Sequence, residues 1–156
     1  MKTEELLNLA ANIERKAAEI YRLLHARFKE DNAAGYLWYS LALEEDGHAD
    51  FIEAEMRMLR TVPDAFGEVT VEAAPLVASL KMMEDAATLI RENPVTLEKA
   101  VCIALQIEED MVEKKYGDLI EIVSPSLKRI FEELTNSSHH VEMLNTYAGK
   151  VGLKCR

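Results

Sequence analysis

Four stretches of this chain return an apolar residue every three or four positions, and the links between them are unequal, very short, long and very short. That period belongs to amphipathic helices, and the links decide how such helices can fold back on one another. Residues 3 to 30 bring Leu6, Ala10, Ala17, Tyr21, Leu24 and Phe28 to one face, with Thr3 as the expected cap ahead of Glu4 and Glu5. After Asp31 and Asn32 a second run continues to about residue 60 through Leu37, Trp38, Leu41, Ile52, Met56 and Leu59. Residues 61 to 93 have a different character. Pro63, Gly67 and Pro75 punctuate them, and one short helix is expected from about 79 to 91. Asn93-Pro94 or Thr96 then opens a third run, with Val101, Leu105, Val112, Tyr116 and Leu119 on one face, ending near 123. Ser124 followed by Pro125 at the first helical position opens a fourth, through Ile130, Leu134, Leu144 and Tyr147 to about 149. No stretch competes as a strand. The expected architecture is therefore all-α: a four-helix bundle of two antiparallel hairpins, joined by a long crossover that carries a short extra helix.

The 156 residues, 49% of them hydrophobic, suffice for a single domain over 1-156 with its own core. A formal net charge of -10 argues against nucleic acid and against an anionic membrane surface as partners. There is no apolar run of transmembrane length and no signal-peptide core at Met1-Lys2-Thr3-Glu4-Glu5, so a cytoplasmic protein is expected. Cys102 and Cys155 stand far apart and form no Cys-x-x-Cys pair, which leaves no zinc ribbon or rubredoxin-like iron site. Any electron donor must then be a separate molecule.

The chemistry-bearing residues sit inside the helical runs. Glu45 and His48 are three residues apart, so one helix face presents both to the same ion. Glu14 is followed seven residues later by Tyr21, and Glu109 seven residues later by Tyr116, each on an apolar stripe. A buried glutamate is costly without a cation or proton, so its place on such a stripe favours a ligand. His140 returns near the end. The two halves of the chain read as a degenerate repeat, which a pseudo-twofold bundle would fold around one central site.

These residues resemble the rubrerythrin family of the ferritin-like di-iron carboxylate superfamily, over nearly the whole chain. In that family each hairpin supplies a Glu from its first helix and a Glu-x-x-His from its second. The resemblance implies a ferritin-like bundle and a metal site of Glu14, Glu45, His48, Glu109 and His140. It also implies iron, two ions where the site is intact and one or a different divalent metal where it is not, and peroxide or oxygen as the substrate. It suggests at least a homodimer. His140 is preferred to His139 because His140-Val141-Glu142-Met143-Leu144 is similar to the family's sequence after its ligand histidine. The sequence departs from the pattern at Ser137, where the second half-site should offer a glutamate.

Two Fe(II) ions bring four positive charges and three glutamates cancel three of them. A hydroxide, a bound anion or Glu113, one turn from Glu109, would have to supply the rest. The Glu14, Glu45 and His48 half should accordingly hold metal more tightly. Tyr21 and Tyr116 read either as core aromatics or as hydroxyls bonding glutamates across the bundle. His25 reads as a satisfied, partly buried histidine, His139 as exposed, Cys102 as a small buried hydrophobe and Gly47 as a sign of close packing or access. Two functions follow from different classes: a di-metal oxidoreductase, or a non-enzymatic metal-binding, storage or scaffold protein whose second half-site has decayed.

Overall fold

A computed structural model describes the backbone of residues 1–137 and 139–155, and all their side chains except those of residues 112–114 and 137. Helix α1 spans Thr3–Phe28 and α2 Asn32–Thr61. A 3-10 turn, Pro63–Ala65, leads through Gly67 into an extended stretch before α3, Ala74–Glu92. Helix α4 is Leu97–Glu108, followed without a break by a π-helical segment, Glu109–Tyr116, and by α5, Gly117–Ile122. Helices α6, Pro125–Ser137, and α7, His140–Val151, complete the chain. Among the described residues there is no strand, and no helix is long and apolar enough to cross a membrane.

Local chemistry places the helix ends. The Asp31 carboxylate accepts from the Ala34 N–H at 2.9 Å and starts α2, and the Thr96 hydroxyl accepts from Lys99 N–H at 3.2 Å to start α4. Thr3 is not the cap expected of it. Helix α1 begins one residue earlier in effect, with the Glu5 carboxylate accepting from Lys2 N–H at 2.7 Å, and the Thr3 hydroxyl donates to Gly67 O at 3.1 Å. The crossover helix is longer than its expected 79–91, because Pro75 sits in a first turn that tolerates it. Its far end is tied to α1, where the Arg27 guanidinium donates to Ile90 O and, at 2.6 Å, to Asn93 O.

The two final helical runs are not the uninterrupted helices their periodicity implies. The third carries the π segment. The fourth breaks before His140, where His139 leaves helical geometry at φ -112°, ψ 17°. Thr135 and Asn136 precede it, and such side chains compete with the helix for backbone hydrogen bonds.

Helix α1 packs along α2 and against α3, α4 packs on α7, and α5 on α6, with α1–α4 and α2–α6 contacts joining the halves. One apolar core runs through all of them, from Leu6 to Ala148. Trp38 lies at its centre, fully buried, with its ring 6.0 Å from that of Tyr21. Trp38→Ala should cost about 3–5 kcal/mol, read as a lower denaturation midpoint with an unchanged slope.

Candidate metal centre

Four helices deliver five polar side chains to the inside of this core. Glu14 comes from the middle of α1, Glu45 and His48 from one face of α2, Glu108 from the last turn of α4, and His140 from the first residue of α7. Glu14, Glu45, Glu108 and His140 are each at most 5% exposed. They form two groups that share Glu45: Glu14, Glu45 and His48, and Glu45, Glu108 and His140. Within each group the ligand atoms all lie within 4.8 Å of one another. The two oxygens of Glu45 divide between the groups, with Oε2 3.0 Å from His48 Nδ1 and Oε1 2.9 Å from His140 Nδ1. Glu14 Oε2 is 3.3 Å from His48 Nδ1, and Glu108 Oε1 is 3.2 Å from His140 Nδ1.

Glu109 is corrected by the structure. It is exposed on the wall of a surface groove, and Glu108, one residue before it, takes the inward position. The cause is the π segment. Its i→i+5 bonding puts one more residue into a turn, so Glu108 and Tyr116, eight apart, share the face that seven-apart Glu14 and Tyr21 share on the regular helix α1. Counting seven back from Tyr116 as in an α-helix therefore lands on the wrong glutamate. Upstream spacing carried the right signal, since Val101, Ala104 and Glu108 continue one buried stripe.

The tyrosines cross the bundle reciprocally. Tyr21 on the first hairpin donates its hydroxyl to Glu108 on the second, and Tyr116 on the second donates to Glu14 on the first. Glu44, which the sequence did not single out, sits outside the cluster and is bonded to His140 Nε2 at 2.8 Å. That bond turns Nδ1 of the ring inward. The Glu113 and Ser137 side chains lie outside the described residues.

Four other expectations are settled by their surroundings. His25 Nδ1 pairs with Gly35 O at 2.9 Å and its ring lies against Tyr39, while His139 is exposed. Gly47 is not a close-packing position, because a Cβ there would meet nothing within 4 Å. Cys102 is not a buried thiol but is disulfide-bonded to Cys155.

Electrostatics show a cluster under strain from its own charge. Burial, then the charges of Glu108 and Glu14, push the Glu45 carboxyl up to about 8. Burial pulls against charge on His48, but the carboxylates of Glu14 and Glu45 outweigh it and raise the ring to about 10. His140 is likewise disfavoured by burial and held protonated by Glu108 and Glu45, up to about 12. Glu14 is lowered: burial opposes its ionisation, and bonds from His48, Glu45 and Tyr116 with the His48 charge overcome it. Positive charge is thus what these buried carboxylates require.

The donor set fits divalent ions. His140 Nδ1 is buried between the Glu45 and Glu108 oxygens, 2.9 and 3.2 Å away, where a cation could take the place of its proton. Beside Glu14, Glu45, His48 and Glu108 lies a cavity of about 20 Å³, closed by Met83, Met111 and Tyr116. Mixed oxygen and imidazole donors suit iron, manganese or zinc. Comparison with family models, curated proteins and solved structures finds no match to this chain.

Proposed function

We propose that the chain is a rubrerythrin-like protein of ferritin-like topology that holds two divalent metal ions, and that with iron bound it acts as an oxidoreductase on peroxide or oxygen. The observation that carries this reading is the sharing of Glu45. One buried carboxylate turns an oxygen to each of two histidines, and each histidine has a second carboxylate beside it. In this reading Glu14 and His48 would hold one ion, Glu108 and His140 would hold the other, and Glu45 would serve both. Two redox-active ions would supply the two electrons that peroxide reduction takes. The rest is the work of the chain. Tyr21 and Tyr116 keep Glu108 and Glu14 turned inward, and Glu44 keeps His140 Nδ1 aimed at the cluster. Glu44 also places a fourth carboxylate one imidazole away, which supports charge balance where Ser137 supplies none. The small cavity restricts reactants to water-sized molecules. A separate molecule has to deliver electrons.

A second reading, metal binding without turnover, is favoured by the count of direct carboxylates, three against four positive charges. Anaerobic Fe(II) loading followed by peroxide separates the two. About two irons per chain with rapid oxidation supports the oxidoreductase, and loading without a peroxide response supports binding alone. The assignment of ligands has its own test. Glu108→Gln should lose about one ion per chain by elemental analysis, whereas Glu109→Gln should keep both. The reverse result would return the second half-site to a regular-helix register.

A further inference from the structure

The Cys102–Cys155 disulfide ties α4, which supplies Glu108, to the tail of α7, which supplies His140, and touches neither α1 nor α2. Cys102 stands on α4 six residues before Glu108, and Cys155 lies in the tail behind α7, whose first residue is His140. The tail comes back to α4 because Gly152, at φ 72°, ends α7 in the left-handed region. Leu153 N–H then bonds Ala148 O at 2.9 Å, and its side chain packs on the core. Glu14, Glu45 and His48 all lie outside the loop that the bond closes.

The bond is also open to chemistry. Cys155 is exposed and Cys102 half-buried, and both line a surface groove of about 680 Å³. Lys99, Gln106, Glu109 and Asn145 stand on the same walls. That volume falls in the range that admits a small organic molecule. An ammonium at the groove favours the thiolate form of an incoming thiol, and the acid and amides suit one bearing charges of both signs.

We propose that Cys102–Cys155 is an exchange site for a small zwitterionic thiol, and that opening it weakens metal binding at Glu45, Glu108 and His140 while sparing Glu14 and His48. The metal half of this proposal rests on the function proposed above. A thiolate attacks Cys155 Sγ, the Cys102–Cys155 bond breaks, and Cys102 leaves as a thiolate that takes up a proton. A second thiol then attacks the mixed disulfide and frees Cys155. Two small thiols become one disulfide, and the protein gains two electrons and two protons. Once the clamp is open, α4 and α7 lose their covalent tie, and ordering Glu108 against His140 falls to noncovalent packing and the ion alone.

The test uses reduced glutathione as the thiol and Co(II) as the metal. Native protein treated with glutathione and then alkylated without denaturant should show both cysteines modified by mass spectrometry. Oxidised wild type should bind about two Co(II) per chain. The Cys102→Ser/Cys155→Ser variant should keep one affinity and weaken the other about tenfold. Glutathione-reduced wild type, freed of thiol, should match the variant and regain the lost affinity on reoxidation, which makes the result independent of how well the variant folds. By reciprocity, bound Co(II) should make the disulfide harder to reduce, by about 30 mV for a tenfold coupling. Unmodified cysteines, or two affinities unchanged from the oxidised protein when the bond is open, overturn the proposal. Oxidised wild type that binds no Co(II) overturns the metal reading itself, and does so before any cysteine is changed.

Discussion

Glu45→Gln is expected to abolish tight binding of both metal ions, whereas Glu14→Gln and Glu108→Gln should each remove one. Glu45 is the only side chain common to both ligand groups among the described residues, and it gives one oxygen to each. An amide keeps its volume and one acceptor but brings no charge to either ion. Each affinity should fall by more than about 100-fold, the upper range for loss of a mere outer partner. The fold itself should survive. With its carboxyl pushed up to about 8 by burial and by its two acidic neighbours, Glu45 is already largely protonated at neutral pH in the metal-free protein. A neutral amide is therefore a close substitute. Elemental analysis and far-ultraviolet circular dichroism read the two outcomes together, and one tightly held ion in the folded variant would show that Glu45 does not bridge.

Metal affinity should rise steeply with pH while the stability of the metal-free protein falls. Both histidines are held as imidazolium by neighbouring carboxylates, His48 to about 10 and His140 to about 12, and both must lose a proton to accept an ion. Loss of both imidazolium protons, and of the Glu45 proton below about pH 8, implies a gain in affinity of about 1,000-fold per pH unit near pH 7 that eases to about 100-fold near pH 9, shared between the two ions. The sign for folding is the opposite. Below about pH 6.5 the histidines are charged in the folded and unfolded chains alike, so their pairing stabilises the fold in full. Above it the unfolded chain releases protons that the folded cluster keeps, and the benefit drains away as pH climbs through about 10 to 12. Glu45, raised from 4.5 to about 8, adds to the same trend. Glu14, lowered, acts only in acid, where stability drops as it takes a proton. Melting temperatures from pH 6.5 to pH 9 should decline without metal and hold or rise with saturating Zn(II). Parallel curves would mean that the histidines are not protonated when metal is absent.

The helices and the Glu45–His48 pair were legible because both depend on spacing within one element. Apolar period and the caps at Asp31 and Thr96 place α1, α2 and α4 with no knowledge of their partners. Residues whose roles depend on packing between distant segments were not legible. Glu44 becomes relevant only when α7 is laid against α2, and the cysteines pair only after a turn at Gly152 that periodicity does not report. Glu108 is an intermediate case. Its stripe is visible upstream, but counting seven back from Tyr116 assumes a regular helix and selects Glu109. The break before His140 is hidden in the same way, since apolar residues from Leu134 to Leu144 continue across His139, which leaves helical geometry.

The π segment has a consequence for comparing the two halves of the chain. Aligned residue by residue, the hairpins match only with a one-position gap between Glu108 and Tyr116, the footprint of a single inserted codon. Deleting one residue from 109–116 would let that segment wind as an ordinary helix, with Glu108 seven residues before the tyrosine as Glu14 stands before Tyr21. Glu108 and the tyrosine would keep their shared face, so loss of the extra residue should be survivable. An indel that would destroy most buried centres would here only remove a bulge.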